Sequence, residues 1–173
     1  MRNRRAAGVA AIAAVGAMLM LAAVAWAGPS QRQVVMLDNC DGPSFNEAVG
    51  EEVCRRNGGT SFDRFIGQLI ATKNAPAWRF SPGQLKLEAG GQITAVNRGG
   101  EFHTFTEVAD FNQGGCIPPL NDILGLPMAP NCNLVGPTGA PPGGSVTTGP
   151  LSAGTHKFLC LLHPWMQATV EVG

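Results

Sequence analysis

The chain has 173 residues, of which 45% are apolar and 14% charged, with 23 glycines and 13 prolines. That suits one domain with a real core, and it excludes a disordered chain. The formal charge is zero, but Arg2, Arg4 and Arg5 stand in the first 27 residues; nine basic and twelve acidic side chains remain, a net −3 that speaks against a nucleic-acid partner.

Met1–Arg5 is basic, Ala6–Ala27 is a run of apolar and small residues, and Ala25-Trp26-Ala27 is a small-x-small cleavage pattern. The sequence thus predicts a signal peptide over 1–27 and a periplasmic or secreted mature chain. Were the leader retained, its 22 apolar and small residues could span a bilayer, the one way in which the chain would meet a membrane.

Five cysteines follow the leader: Cys40, Cys54, Cys116, Cys132 and Cys160. In an oxidising compartment thiols tend to pair, and an odd count leaves one over. Any four of them allow three pairings. Proximity favours Cys40–Cys54 and Cys116–Cys132, each closing a short loop that stabilises by about 3 kcal/mol; Cys160 is then the odd thiol.

Residues 28–77 read as an N-terminal extension. Within it Gln31–Gly59 is polar and turn-rich around a short strand at Val34–Leu37. Phe62, Phe65, Ile66, Leu69 and Ile70 then recur at helical spacing, predicting one amphipathic helix over Thr60–Lys73, with Thr60 and Asp63 as a capping pair. From Trp78 the pattern is β. Leu85–Glu88 alternates, Ala89-Gly90-Gly91 turns, Ile93–Val96 runs apolar, and Phe102, Phe105 and Val108 mark a further strand region. Gly114–Pro150 is rich in Pro, Gly and Asn and reads as a long loop or flap stapled by a disulfide. Gly154–Val172 closes with two strand-like runs. Residues 78–173, flap 114–150 included, form the predicted β domain.

The last of these runs carries Cys160-Leu161-Leu162-His163-Pro164-Trp165-Met166, a Cys-x2-His-x2-Met skeleton. A thiolate, an imidazole and a thioether within seven residues are three parts of a blue-copper ligand set, which joins two His and one Cys in a plane with a long axial Met. A strand cannot turn three such side chains onto one ion, whereas a tight loop can, and Pro164 suits such a turn. The second imidazole must come from His103 or His156. His103 is the stronger candidate, because His156 reads as a packing or hydrogen-bonding residue. Glu101 and Asp110 read as isolated, solvated carboxylates, and Met36 and Met128 as packing residues.

Over about 96 residues, Trp78–Gly173, the sequence resembles the cupredoxins. Phe80-Ser81-Pro82 with Leu85, Leu87 and Gly90 is similar to their first strand pair, Asn97-x5-His103 to their N-terminal ligand region, and the short loop Cys160–Met166 to that of amicyanin. The resemblance implies an all-β fold, a Greek-key β-sandwich of eight strands, here with one short N-terminal helix and a long Gly/Pro-rich loop. It implies one copper ion, cycling between Cu(I) and Cu(II), held by His103, Cys160, His163 and Met166. It also implies redox partners docking where the His163 edge emerges, near Pro164, Trp165 and Leu162. Many cupredoxins have Asn after the first His. Here Thr104 stands there, and a Thr can still tie the two ligand loops through its hydroxyl while its N–H points at the Cys sulfur.

The function implied is single-electron transfer without catalysis. Copper storage or delivery to an exported oxidase is the alternative, and a single-copper redox enzyme stands behind it. Leu159 and Leu161 flank Cys160 where multicopper oxidases place histidines, so such an oxidase is disfavoured.

Overall fold

The structure, a computed structural model, describes residues 30–173, so the leader read at 1–27 lies outside the described residues. In chain order the elements are β1 (Gln31–Leu37), α1 (Gly42–Val49), α2 (Phe62–Thr72), β2 (Arg79–Ser81), β3 (Gln84–Leu87) and β4 (Gln92–Asn97). There follow β5 (His103–Thr104), β6 (Thr106–Val108), α3 (Pro118–Leu124), β7 (Gly139–Ala140), β8 (Ser145–Thr147), β9 (Gly154–Leu159) and β10 (Gln167–Val172). No helix among the described residues is long and apolar enough to cross a membrane.

Two four-stranded sheets, ordered β2-β1-β4-β8 and β3-β10-β9-β6, face one another as a sandwich, and β5 pairs with β7 in a separate ribbon. The alternation along the strands explains the layering. In β4 Ile93, Ala95 and Asn97 are buried; in β10 Ala168, Val170 and Val172 are buried, while Gln167 and Glu171 face water. The inward residues meet in one core with Val34, Met36, Phe80 and Phe158. Phe105 stacks on Phe158 at 4.3 Å and meets Phe80 edge-on at 5.1 Å.

Three features depart from the sequence reading. Within the extension read at 28–77, the described residues 30–77 are not an appendage to the sandwich, because β1 lies between β2 and β4 and runs parallel to β4 from Gln31↔Gln92 to Met36↔Asn97. The N-terminal part holds two helices rather than one. Asp41 caps the extra helix α1 by accepting from the Ser44 N–H, and a proline stands in its first turn. In α2 the cap is Ser61, not the Thr60–Asp63 pair, since Thr60 is taken up in a β-bridge to Cys40. Its expected apolar face is seated through Phe65 and Leu69, while Ile70 stays 61% exposed.

The flap is built rather than loose. It carries α3, β7 and β8, and it is tied by Cys116–Cys132 as proximity predicted. The second pair, Cys40–Cys54, also forms, and Cys160 is left free and buried. Because β7 pairs with β5 in the register His103↔Ala140, the flap is anchored beside His103.

Candidate metal centre

Cys160 follows directly on β9, and β10 resumes at Gln167, so seven residues, Cys160–Met166, must reverse the chain. Backbone bonds fold them tightly. The His163 N–H donates to the Cys160 C=O at 3.1 Å, and the Met166 N–H to the His163 C=O at 2.8 Å. The Cys160 N–H donates to the Met166 C=O at 3.1 Å, which closes the loop. His103 comes from β5 on the facing side. Cys160 Sγ lies 3.8 Å from His103 Nδ1 and 3.6 Å from His163 Nδ1, and the two rings stand 5.0 Å apart. One ligand atom from each of the three residues falls within 4.8 Å of the others. All three are buried, and the Met166 side chain is fully buried on the same loop.

Thr104 does what its position suggested. Its N–H points at Cys160 Sγ at 3.4 Å, and its hydroxyl accepts from the Leu161 N–H at 2.8 Å. The ribbon that bears His103 and the loop that bears His163 are thereby tied together. Asn97 works behind them: its amide donates to the Glu101 and Ala140 carbonyls and its oxygen accepts from the Gly99 N–H, which fixes the turn into β5.

Both histidines turn their Nε2 edges toward carboxylates. Asp38, one residue beyond β1, is buried and accepts four hydrogen bonds. Oδ1 takes the Cys40 and Gly100 N–H groups at 3.2 and 2.9 Å. Oδ2 takes the Glu101 N–H at 3.0 Å and His103 Nε2 at 2.8 Å. The approach needs glycine, since a Cβ on Gly99 would fall on the Asp38 carboxylate. Glu101 is 6% exposed and not solvated, which corrects the sequence reading: the turn from β4 directs it inward, where it accepts from Trp78 Nε1 and lies 3.7 Å from His163 Nε2. Asp110 is exposed, as expected for a solvated carboxylate. Nothing local in the sequence marked Asp38 as part of this site.

Burial alone would raise the Asp38 carboxyl, but the hydrogen bond from His103 and those from Gly100 and Glu101 hold it well below the usual carboxylate range. Burial works to lower the His103 pKa, yet the Asp38 bond and the neighbouring Cys160 push it up to about 9. Burial would likewise raise Cys160, and the two imidazoles instead bring the thiol well below its ordinary value. For Glu101 burial prevails and the carboxyl lies above its usual range, against the pull of His163 and of the Trp78 N–H.

This chemistry fits a soft or borderline transition-metal ion. It presents a thiolate-prone sulfur and two imidazoles with Nδ1 turned inward, and the Nε2 proton of His103 is accepted by Asp38, the outer-sphere arrangement that fixes a ligating imidazole. His156 lies elsewhere and takes no part, bonding Glu107 at 2.6 Å and the Ser152 carbonyl at 2.8 Å.

Of the patch that the resemblance implied around the His163 edge, Leu162 lines one hollow with His163, whereas Pro164 and Trp165 do not. Pro164 is buried and Trp165 half-buried, because α2 and the flap pack over that side; the Trp165 ring meets Phe65 of α2 at 5.7 Å. His163 is 5% exposed, at the wall of a hollow of about 330 Å³ shared with Val49, Val53, Ile117, Pro142 and Leu162.

No family model matches the sequence, and no curated protein matches it. Among solved structures the chain is similar to a purple cupredoxin from Nitrosopumilus maritimus, with 18% identity, 82% of this chain and 99% of that chain covered, and a TM-score of 0.43. It is also similar to a reduced amicyanin mutant (21% identity, 55% and 73% covered, TM-score 0.36). A third similar structure is the oxidised plastocyanin from Dryopteris crassirhizoma (18% identity, 56% and 89% covered, TM-score 0.37). The fold is a two-sheet β-sandwich, with its His/Cys/His cluster where the β9–β10 loop meets the β5–β7 ribbon.

Proposed function

We propose that this chain is an exported electron carrier that holds one copper ion through His103, Cys160 and His163, with Met166 as the fourth, axial ligand. The observation that carries the reading is the cluster itself: one thiol and two imidazoles with ligand atoms within 4.8 Å, buried where the Cys160–Met166 loop, closed by its own backbone, meets β5. When bound, the ion supplies a one-electron Cu(I)/Cu(II) couple. Asp38 orients His103, the Thr104 N–H faces the sulfur, and burial of all four ligand side chains keeps water from them. Redox partners meet the protein at the apolar hollow beside His163, rather than at Pro164. Two disulfides support an oxidising compartment. A carrier binds no substrate at its metal, so the chain is read as a non-enzyme.

The test is to add one equivalent of Cu(II) to the chain from Gly28 onward and record the visible spectrum, with Cys160→Ser beside it. An intense thiolate-to-copper band, lost in the variant, is expected. A colourless wild-type protein with intact fold and free thiol would sink the carrier reading.

A further inference from the structure

Glu101 is fixed at three points. Its N–H donates to Asp38 Oδ2 at 3.0 Å, its C=O accepts from Asn97 Nδ2 at 2.7 Å, and its carboxylate accepts from Trp78 Nε1. Trp78 is itself held in a cluster with Phe45 and Phe65, at 5.8 and 4.6 Å between ring centroids. The carboxylate so anchored stands 3.7 Å from the Nε2 edge of His163, whose Nδ1 faces Cys160 Sγ. Burying a carboxyl in such a wall is costly unless its partners return the loss. A Trp N–H alone gives a weak reason for a carboxyl, since any neutral acceptor would satisfy it.

We propose that Glu101 is a positioning residue for His163: it faces the outer edge of the ring, keeps Nδ1 aimed at the metal-binding sulfur, and strengthens the imidazole as a donor. The proposal rests on the metal-centre reading given above. It goes beyond it by giving each histidine its own carboxylate, Asp38 behind His103 and Glu101 behind His163. Ligating histidines commonly have an outer carboxylate whose loss alters the metal's affinity; at 3.7 Å Glu101 acts on His163 through its charge and not through a direct hydrogen bond.

Glu101→Gln separates this role from a merely structural one, because the amide oxygen still accepts from Trp78. The first readout is the imidazole nitrogen NMR spectrum of wild type and E101Q, both metal-free and loaded with zinc, a diamagnetic ion the same ligands accommodate. His163 nitrogens are expected to shift in both states while those of His103 stay in place. The second readout is the reduction potential of the copper-loaded proteins at pH 8. E101Q is expected to favour Cu(I) over Cu(II) by about tenfold relative to wild type, about 59 mV for one electron. Should E101Q not fold, Glu101→Asp withdraws the carboxylate by one methylene, and a His163 shift is expected again. Unchanged His163 nitrogens in the folded variant overturn the assignment. A wild-type protein without the thiolate band ends the copper reading alone, since the metal-free and zinc spectra still judge Glu101.

Discussion

The two histidines of the centre live in different surroundings. His103 sits in the β5–β7 ribbon with no exposed surface, bonded at 2.8 Å to a carboxylate that three backbone N–H groups also hold. His163 sits on the loop beside a hollow, 5% exposed, its carboxylate at 3.7 Å, beyond hydrogen-bond length. One side is constrained by the sheet and the first strand; the other is backed by side chains and borders solvent. The difference teaches that a single cluster is held unequally: His103 is fixed by hydrogen bonds within the fold, whereas His163 is the one that borders a hollow open to another molecule.

If that division is right, the His103 side is the costlier to disturb. Asp38→Ala removes a buried charge from His103 and three N–H groups, and should lower stability by about 3–5 kcal/mol, read as a fall in the urea midpoint. A cost below that of Glu101→Gln would break the comparison. Thr104→Val keeps the shape but strips the acceptor from the buried Leu161 N–H. About 2 kcal/mol is expected in the same assay, and a neutral result would mean that the two halves are not tied through that hydroxyl.

The smallest effect lies outside the centre and calibrates the others. The Glu107 hydrogen bond raises the His156 pKa above its ordinary 6.5. A raised folded value means that the pair stabilises fully below the unfolded pKa and that this is lost as pH rises through the folded value. His156→Gln should therefore cost about 0.5 kcal/mol near pH 5.5 and progressively less toward alkaline pH, as befits a pair at the surface. A cost that grew with pH would reverse the sign assigned to this pair.

What was legible in the sequence was what is local. Cys160, His163 and Met166 lie within one loop, so their spacing pointed to metal-binding chemistry, and the apolar run Ile93–Val96 pointed to a strand that forms within β4. Thr104 could be read because it adjoins His103. Asp38 could not, since it reaches His103 across 65 residues of chain and only the parallel β1–β4 pairing brings them together. Glu101 misled for a related reason: a charged residue after Arg98-Gly99-Gly100 looks like the tip of a solvated turn, and only the Asp38 and Asn97 bonds turn it inward. Helix α1 escaped because Gly42–Val49 is short and opens with Gly42-Pro43, and Phe45 is the one large side chain that it buries. It is held by Phe45 in the aromatic cluster rather than by its own propensity.

The disulfides bear on how such a chain is made. Cys40 closes on Cys54 and Cys116 on Cys132, each across a short stretch of sequence, and Cys160 follows all four. Synthesis runs from the N-terminus and domains fold from that end, so each bridge involves two cysteines that are already present before the last one is added. The order of cysteines along the chain thus leaves Cys160, the thiol proposed to bind the metal, few unpaired competitors, and its burial keeps it from exchange.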